Sequence, residues 1–339
     1  MAPAPCGARP WRRQQRCLLL LKKRLCARLP PALASCELHS GESLRVRRLA
    51  RALRARFHGR HVAFVDTHVP GSVGGYVAVA GGADDEGGVV ASSATFRLVA
   101  GVRERLQHDD GDGGADIALR RRIFATERSD LDRATVKLTA GRMGIVQDGD
   151  SSDDDNARAV AYVDVTADAI RACERASVES RQPFFADDAP PLPDLKTLHS
   201  LSVNNRYRIW LEWARQVMEC SRECDRDDGE PLWRRHRDIA ALVVSDDGLR
   251  LHDVARNLAG TNRVFHAEMC LALRPQAIHS NENGIVLVTL SPCRMCAQAL
   301  VDVACTSGMN CIDVVYAEKD HGKLASDTAL DRRGWCEHV

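Results

Sequence analysis

Two short motifs in the last third of the chain combine residue types that bind a metal and move protons. The first is His266-Ala267-Glu268, and the second is Pro292-Cys293-Arg294-Met295-Cys296. A CxxC sequence at a helix start brings both sulfurs to one point, and the positive end of the helix favours thiolates. With one imidazole added, a zinc ion has three protein ligands, as in catalytic sites that keep a fourth position open. We therefore predict that His266, Cys293 and Cys296 bind one Zn²⁺ ion.

Glu268 lies two residues beyond the predicted imidazole ligand, close enough to reach a water molecule on the metal without binding the metal itself. A catalytic zinc lowers the pKa of its water towards neutrality, and a neighbouring carboxylate can accept the released proton. We therefore predict Glu268 as the catalytic acid and base. Two alternatives stay open: a redox CxxC beside an unrelated buried histidine, and a structural zinc completed by Cys270. Neither alternative explains Glu268 or Pro292.

Alternating strands and helices are predicted around the two motifs, and each motif opens a helix. This alternation over about 137 residues predicts a three-layer α/β/α domain. The predicted helices are Tyr207–Cys224, Phe265–Leu273, Pro292–Val303 and Leu324–Leu330, and the predicted strands are Ile239–Val244, Leu249–Val254, Ile285–Leu290 and Ile312–Ala317. Only nine residues follow Leu330, so a fifth strand is either missing or is formed by Trp335–Val339.

At these motifs the chain resembles the cytidine-deaminase-like superfamily of zinc deaminases, and within it the tRNA adenosine deaminases. The resemblance is carried by Thr289–Ala297 around the CxxC, by Val314–Asp320 on the following strand, and by Gly322-Lys323-Leu324. It covers residues 203–339. It implies a cytidine-deaminase-like fold for this domain and Zn²⁺ as the cofactor. It also implies substrate contacts from three residues, with the first bonding the ribose: Asn257, Ala267 and Pro292.

The same resemblance implies hydrolytic deamination of a nucleobase within a polynucleotide, with adenosine-to-inosine conversion in tRNA as the first choice. Deamination of cytosine to uracil in DNA or RNA is the alternative. A long N-terminal region before a deaminase domain also resembles predicted bacterial polynucleotide deaminases and the larger subunit of the eukaryotic heterodimeric tRNA deaminase. That larger subunit usually lacks the glutamate, whereas Glu268 is present here, and Ser291 stands where bacterial tRNA deaminases usually have Glu.

The partners and the role of the chain follow from that resemblance. We expect tRNA as the nucleic-acid partner, and a homodimer or a heterodimer with a second deaminase subunit. A hypothesis of another class is a non-catalytic subunit that keeps zinc for structure and positions tRNA for a catalytic partner. The presence of Glu268 argues against this hypothesis.

Charge is distributed unevenly along the chain. The 339 residues carry a formal net charge of +1, yet residues 1–60 contain 15 Lys and Arg and only two acidic residues, Glu37 and Glu42. This asymmetry predicts a basic arm that contacts the phosphates of a nucleic acid. Residues 1–36 contain no acidic residue, so a cleaved mitochondrial presequence and a poorly ordered terminus are alternatives. Leu44–Phe57 is predicted to be an arginine-rich amphipathic helix.

The pattern between this helix and a Pro-rich segment predicts a small mixed α/β domain. Short β-like runs separated by glycines are followed by a predicted helix, Asp168–Ser180. The predicted strands are His61–Asp66, Tyr76–Ala80, Thr95–Ala100, Thr135–Thr139 and Val160–Thr166. The complete prediction is an α/β protein with a basic arm (1–43), a mixed α/β accessory domain (44–182), a Pro-rich linker (183–202) and a zinc deaminase domain (203–339).

Composition excludes several classes of protein. Hydrophobic residues make up 45% of the chain, which is normal for a folded protein, and no apolar run approaches the roughly 18 residues of a membrane-spanning helix. The 13 Cys residues are an odd number over a long chain, unlike a secreted disulfide framework. We therefore expect an intracellular protein of the cytoplasm or nucleus with free thiols, a metal site and no membrane association.

Overall fold

The computed structural model describes most of the chain beyond residue 60. It describes residues 60–66, 75–81, 93–109, 122–125, 142–145, 162–224, 238–258, 264–274, 285–322 and 324–339, and single positions within 52–57, 131–135, 262 and 278. The predicted arm (1–43) and most of the predicted helix Leu44–Phe57 lie outside these residues. The described residues belong to one compact unit, Ser40–Val339, and contain two five-stranded sheets. None of the described helices is both long and apolar enough to cross a bilayer.

The first sheet is built from a hairpin, extended on both sides by further strands. Its strands are β1 His61–Asp66, β2 Gly75–Ala80, β3 Arg122–Ala125, β4 Arg142–Ile145 and β5 Tyr162–Asp164, in the spatial order β4-β3-β1-β2-β5. The β1 strand is antiparallel to both β2 and β3, while β4 is parallel to β3 and β5 is parallel to β2. Two helices, α1 Ala94–Asp109 and α2 Thr166–Glu179, pack on one face of this sheet. A mixed α/β region is therefore confirmed here.

One predicted strand in this region is wrong, and a second is wrong at the residue described. Thr95–Ala100 is the start of α1, whose first turns are buried on every side between the sheet and α2, so no polar face marks the helical period. Thr135 is helical, and its hydroxyl donates to the Leu131 carbonyl one turn earlier at 2.8 Å. The rest of Thr135–Thr139 lies outside the described residues. The predicted strand Val160–Thr166 contains β5 and ends before Thr166, which begins α2; residues 160 and 161 lie outside the described residues.

The second sheet forms the centre of the C-terminal region. Its strands are β6 Ala240–Val244, β7 Leu251–Arg256, β8 Ile285–Leu290, β9 Asp313–Glu318 and β10 Cys336–His338, in the order β10-β9-β8-β6-β7. The β6 strand is antiparallel to β7 and β8, whereas β8, β9 and β10 run parallel. The helices around it are α3 Leu195–His199, α4 Val203–Cys224, α5 Ala267–Ala272, α6 Arg294–Thr306 and α7 Ala329–Arg333.

These helices lie on both faces of the second sheet, as predicted for a three-layer α/β/α domain. The face with Leu242, Val244 and Leu287 packs on α4, and the opposite face with Val243, Val286 and Val288 packs on α5 and α6. Successive strand residues point to opposite faces, so two apolar layers need near-continuous apolar strands, which β6 and β8 provide. The three-layer fold is confirmed.

The end of the chain differs from the prediction. The predicted helix Leu324–Leu330 is mostly loop, and α7 begins only at Ala329, because Thr328 and Asp331 form a reciprocal capping box at that point. A fifth strand is present: β10 pairs with β9 in parallel and falls within the predicted Trp335–Val339.

The Pro-rich segment is folded onto α4. It contains a 3₁₀ turn at Gln182–Phe185 and the short helix α3. The Phe184 ring lies 5.6 Å from the Trp213 ring, and the Trp213 indole donates to the Pro190 carbonyl at 3.0 Å. The boundaries of the linker (183–202) and of the other predicted domains stay predictions.

Candidate active site

The two motifs open two neighbouring helices on one face of the second sheet. His266 is the N-cap residue of α5, and Cys293 is the N-cap residue of α6; both have extended backbone, with ψ of 160° and 169°. Neither side chain hydrogen-bonds to its own helix as a cap, although capping is the usual task of an N-cap side chain. Neither side chain is therefore used as a helix cap. Cys296 lies one turn further along α6.

The three predicted ligands converge on one point. The His266 Nδ1 atom lies 3.5 Å from Cys293 Sγ and 3.4 Å from Cys296 Sγ, and the two sulfurs are 3.5 Å apart. Zinc–sulfur bonds of about 2.3 Å and zinc–nitrogen bonds of about 2.0 Å place tetrahedral S···S pairs about 3.8 Å apart and N···S pairs about 3.5 Å apart. The donor set therefore fits a zinc ion after shifts of a few tenths of an ångström. In the part of the chain that the structure describes, no other such group could hold a metal ion.

The two sulfurs differ in their affinity for a proton. Both cysteines are buried. The hydrogen bond shared with Cys296 lowers the pKa of the Cys293 thiol well below its ordinary value, and the nearby His266 lowers that pKa further. Burial is the main cause that raises the pKa of Cys296. Cys293 is therefore the readier source of a thiolate, the form in which cysteine binds metals.

Glu268 is enclosed beside the ligands. It is the second residue of α5 and is 3% exposed, and its Oε2 atom has no hydrogen-bond partner among the described residues. Burial raises the pKa of this carboxyl to about 7, against the opposing effect of His266. A buried carboxyl oxygen without a partner is costly, so its position indicates where a water molecule or a ligand binds. A carboxyl group that titrates near neutrality can both accept and release a proton.

Two of the three predicted substrate-contact residues are directly next to a ligand in the chain. Ala267 is the first residue of α5 and is fully buried, and Pro292 is buried directly before Cys293. Asn257 is half-buried just beyond β7, where its backbone N–H donates to the Ile239 carbonyl at 2.9 Å. Their contacts with a substrate stay predictions. Cys270, the residue considered for a structural zinc site, is fully buried on α5 and is not part of the convergent group.

A loop after β9 holds the start of α6 through contacts that are long-range in sequence. The Arg294 backbone N–H donates to the Leu324 carbonyl at 2.8 Å, and the Arg294 Nε–H donates to the Ser326 carbonyl at 3.1 Å. The Ser291 hydroxyl accepts from the Asp320 backbone N–H at 2.7 Å. These bonds position the residues on either side of Cys293. Their partners lie about 30 residues away in sequence, so no local pattern marks them.

Comparison with known proteins agrees with the type of site. Residues 230–339 match the family model of the Bd3614-like deaminase. Among solved structures, the chain is similar to the crystal structure of an NE0047 mutant in complex with 8-azaguanine, with 17% identity, a TM-score of 0.28, and coverage of 46% of this chain and 89% of that chain. A TM-score this low does not bear on the fold. No curated protein matches the chain. The family match is consistent with the cytidine-deaminase-like resemblance and supports a deaminase activity in general.

Proposed function

We propose that the protein is a zinc-dependent hydrolytic nucleobase deaminase. The observation that carries the proposal is the convergence of His266, Cys293 and Cys296 beside a buried carboxyl oxygen of Glu268 that lacks a partner. A redox CxxC pair requires neither the imidazole nor the carboxyl group. A structural zinc site closes its fourth position with a protein ligand, and the described residues place no fourth ligand there.

The site residues have two roles: three of them would bind the metal, and one transfers protons. His266, Cys293 and Cys296 would hold the zinc ion, which supplies Lewis-acid activation of water when bound. Glu268 accepts one proton of the attacking water at Oε2 and passes it to the ring nitrogen of the base, and it then carries the second proton of that water to the departing amino group. The net reaction exchanges the exocyclic amino group for a carbonyl oxygen and releases ammonia. The enclosed position of Glu268 keeps bulk water from competing for this proton.

We propose adenosine in tRNA as the substrate, with inosine as the product. The sequence around Cys293, from Thr289 to Ala297, supports this choice by its resemblance to tRNA adenosine deaminases, and the basic residues among positions 1–60 supply charge for phosphate contacts. Cytosine in DNA or RNA is the alternative substrate. Asn257, Ala267 and Pro292 would contact the substrate, with Asn257 on the ribose.

The test is a substrate panel with the full chain and one variant of the proposed acid and base. Purified protein is incubated separately with total tRNA, single-stranded DNA, free adenosine and free cytidine, and the products are identified by chromatography and sequencing. We expect inosine in tRNA from the wild-type protein. Glu268→Gln should keep its zinc and lose at least about 100-fold in rate, because general acid–base catalysis contributes roughly 10²–10⁴-fold.

A matched control variant distinguishes the loss of the catalytic carboxyl group from the loss of one negative charge. Glu337 is an exposed glutamate on β10, so Glu337→Gln should deaminate at the wild-type rate. Uracil products without inosine would show that the substrate is cytosine and not adenosine. Zinc-loaded wild-type protein that deaminates none of the four substrates would contradict the enzymatic proposal and favour a non-catalytic subunit.

A further inference from the structure

The two sheets of this protein have the same strand topology over four strands. In the first sheet, the hairpin β1–β2 is extended by antiparallel β3 beside β1 and by parallel β4 beside β3. In the second sheet, the hairpin β6–β7 is extended by antiparallel β8 beside β6 and by parallel β9 beside β8. Chain order, spatial order and strand direction all correspond. The sheets differ only at the fifth strand, which lies at opposite edges.

The helices between these strands also correspond. The α1 helix joins the second and third strands of its sheet, as α5 does in the other, and helical residues at 131 and 134–135 fall between β3 and β4, where α6 falls between β8 and β9. Each of these helices packs on one face of its sheet. Four strands and two connecting helices in the same order indicate two copies of one fold in a single chain.

At the equivalent helix start, the first copy lacks the imidazole and the carboxyl group that the second copy has. Ser93-Ala94-Thr95 occupies the N-cap, first and second positions of α1, where α5 has His266-Ala267-Glu268. The Ser93 hydroxyl accepts from the Phe96 backbone N–H at 3.2 Å, so this side chain caps its helix, whereas that of His266 does not. The sequence also contains no cysteine between Cys36 and Cys173. The first copy therefore has no counterpart of the cysteine pair.

The helix layer of the first copy packs directly on the segment that leads into His266. The Phe96 and Phe265 rings meet edge to face, with their centroids 6.0 Å apart. Asn262, 2% exposed, donates from its side-chain amide to the Ala100 carbonyl of α1 at 3.3 Å and accepts from the Val264 backbone N–H at 3.4 Å. The turn directly before His266 is therefore held in place by contacts with α1.

The other end of α5 is held by α2 of the first copy. Arg274, two residues beyond α5, donates from one guanidinium nitrogen to the Ser177 carbonyl at 2.7 Å and to the Ser180 hydroxyl at 3.2 Å. The same side chain pairs with the buried Asp253 of β7 at 2.7 Å. The short helix that carries the metal ligand and the catalytic carboxyl is thus anchored at both ends by the first copy.

We propose that the N-terminal region is a metal-free copy of the deaminase fold that serves as a built-in partner and positions α5 at the metal site. Phe96 of the first copy and Asn262 of the second copy are the positioning residues towards His266. The inference rests on the proposed zinc site, but it does not require deaminase activity.

The test compares two phenylalanines of the first copy. Phe96 and Phe64 are both fully buried, but Phe64 alternates with Ala63 and Val65 along β1 and so faces away from α1. Full-length F96L and F64L are loaded with zinc, and the rate of zinc transfer to a chromogenic chelator is measured together with the thermal unfolding midpoint. Residues that support metal ligands typically change metal affinity by roughly 10–100-fold. We expect F96L to release zinc about tenfold faster than wild type, and F64L to stay within about twofold even where its unfolding midpoint falls equally.

Two results would overturn the inference. Equal acceleration in F96L and F64L would show that the first copy contributes only general stability, and an unchanged rate in both would show that α1 does not position His266. Asn262→Ala removes the hydrogen bond from the side-chain amide to the Ala100 carbonyl, together with the local bond from the Val264 N–H, without deleting apolar volume. It carries the same expectation if F96L does not fold. Zinc-bound wild-type protein without turnover would contradict the proposed function and leave this comparison of release rates valid.

Discussion

Replacing Arg274 by Ala should destabilise the protein strongly, because this side chain is the hub of a buried polar cluster. Its Nε–H donates to Asp253 at 2.7 Å, and its other nitrogens donate to the Ser177 and Val254 carbonyls at 2.7 and 3.0 Å. The Arg274 side chain is 14% exposed and that of Asp253 only 3%. Removal of Arg274 therefore leaves a buried carboxylate without its main cation.

The size of the effect follows from what Asp253 retains. Breaking a buried ion pair by removing one partner costs about 3–5 kcal/mol. Asp253 keeps Arg181 at 3.3 Å and the Val254 backbone N–H at 2.8 Å, which places the expected loss at the lower end. We predict that Arg274→Ala lowers the free energy of unfolding by about 3 kcal/mol, or the unfolding midpoint by about 4–5 °C.

The assay is urea unfolding of the full chain, with an exposed arginine as the control. Arg332 pairs with Asp327 at 3.2 Å, but the two side chains are 57% and 70% exposed, so Arg332→Ala should cost at most about 1 kcal/mol. In a double-mutant cycle, Arg274→Ala combined with Asp253→Asn should lose less than the sum of the single losses. Losses for Arg274→Ala and Arg332→Ala that agree within about 0.5 kcal/mol would refute the reasoning.

Two further predictions concern packing and the metal site. Gly101→Ala should lower the free energy of unfolding in urea by about 2 kcal/mol, because the added Cβ would lie 2.3 Å from the Val165 backbone oxygen. In the control Gly322→Ala, the added Cβ meets only a flexible side chain, so equal losses in the two variants would contradict this prediction. Cys296→Ser should lose bound zinc in elemental analysis, whereas Cys305→Ser, at an exposed cysteine, should retain it; zinc retention by both variants would remove Cys296 from the ligand set.

Local sequence patterns predicted the elements that carry the candidate site. The apolar run Ile285–Leu290 is a strand with those bounds in the structure, and the CxxC motif begins the helix that follows it. Both signals are short-range, since a nearly continuous apolar run and a helix-start motif can each be recognised within ten residues. The hairpin of β6 and β7 was predicted for the same reason, from the turn residues 245–248.

Long-range contacts could not be predicted in this way. Thr95–Ala100 was predicted as a strand from a short, mostly apolar run, because a helix that is buried on every side loses its amphipathic period. Asn262 and Ala100 are 162 residues apart, and no pattern in the sequence links them. The common strand topology of the two sheets was also hidden, because the first copy has neither the histidine nor the cysteine pair.

The metal content of the purified full-length chain tests the central claim most directly. Inductively coupled plasma mass spectrometry, combined with a measured protein concentration, gives the ratio of zinc to polypeptide. The convergence of His266, Cys293 and Cys296, and the lack of an equivalent cysteine pair in the first copy, predict one zinc ion per chain. A chain that binds no zinc when refolded or expressed with excess metal would contradict the site, and two ions per chain would contradict a metal-free first copy.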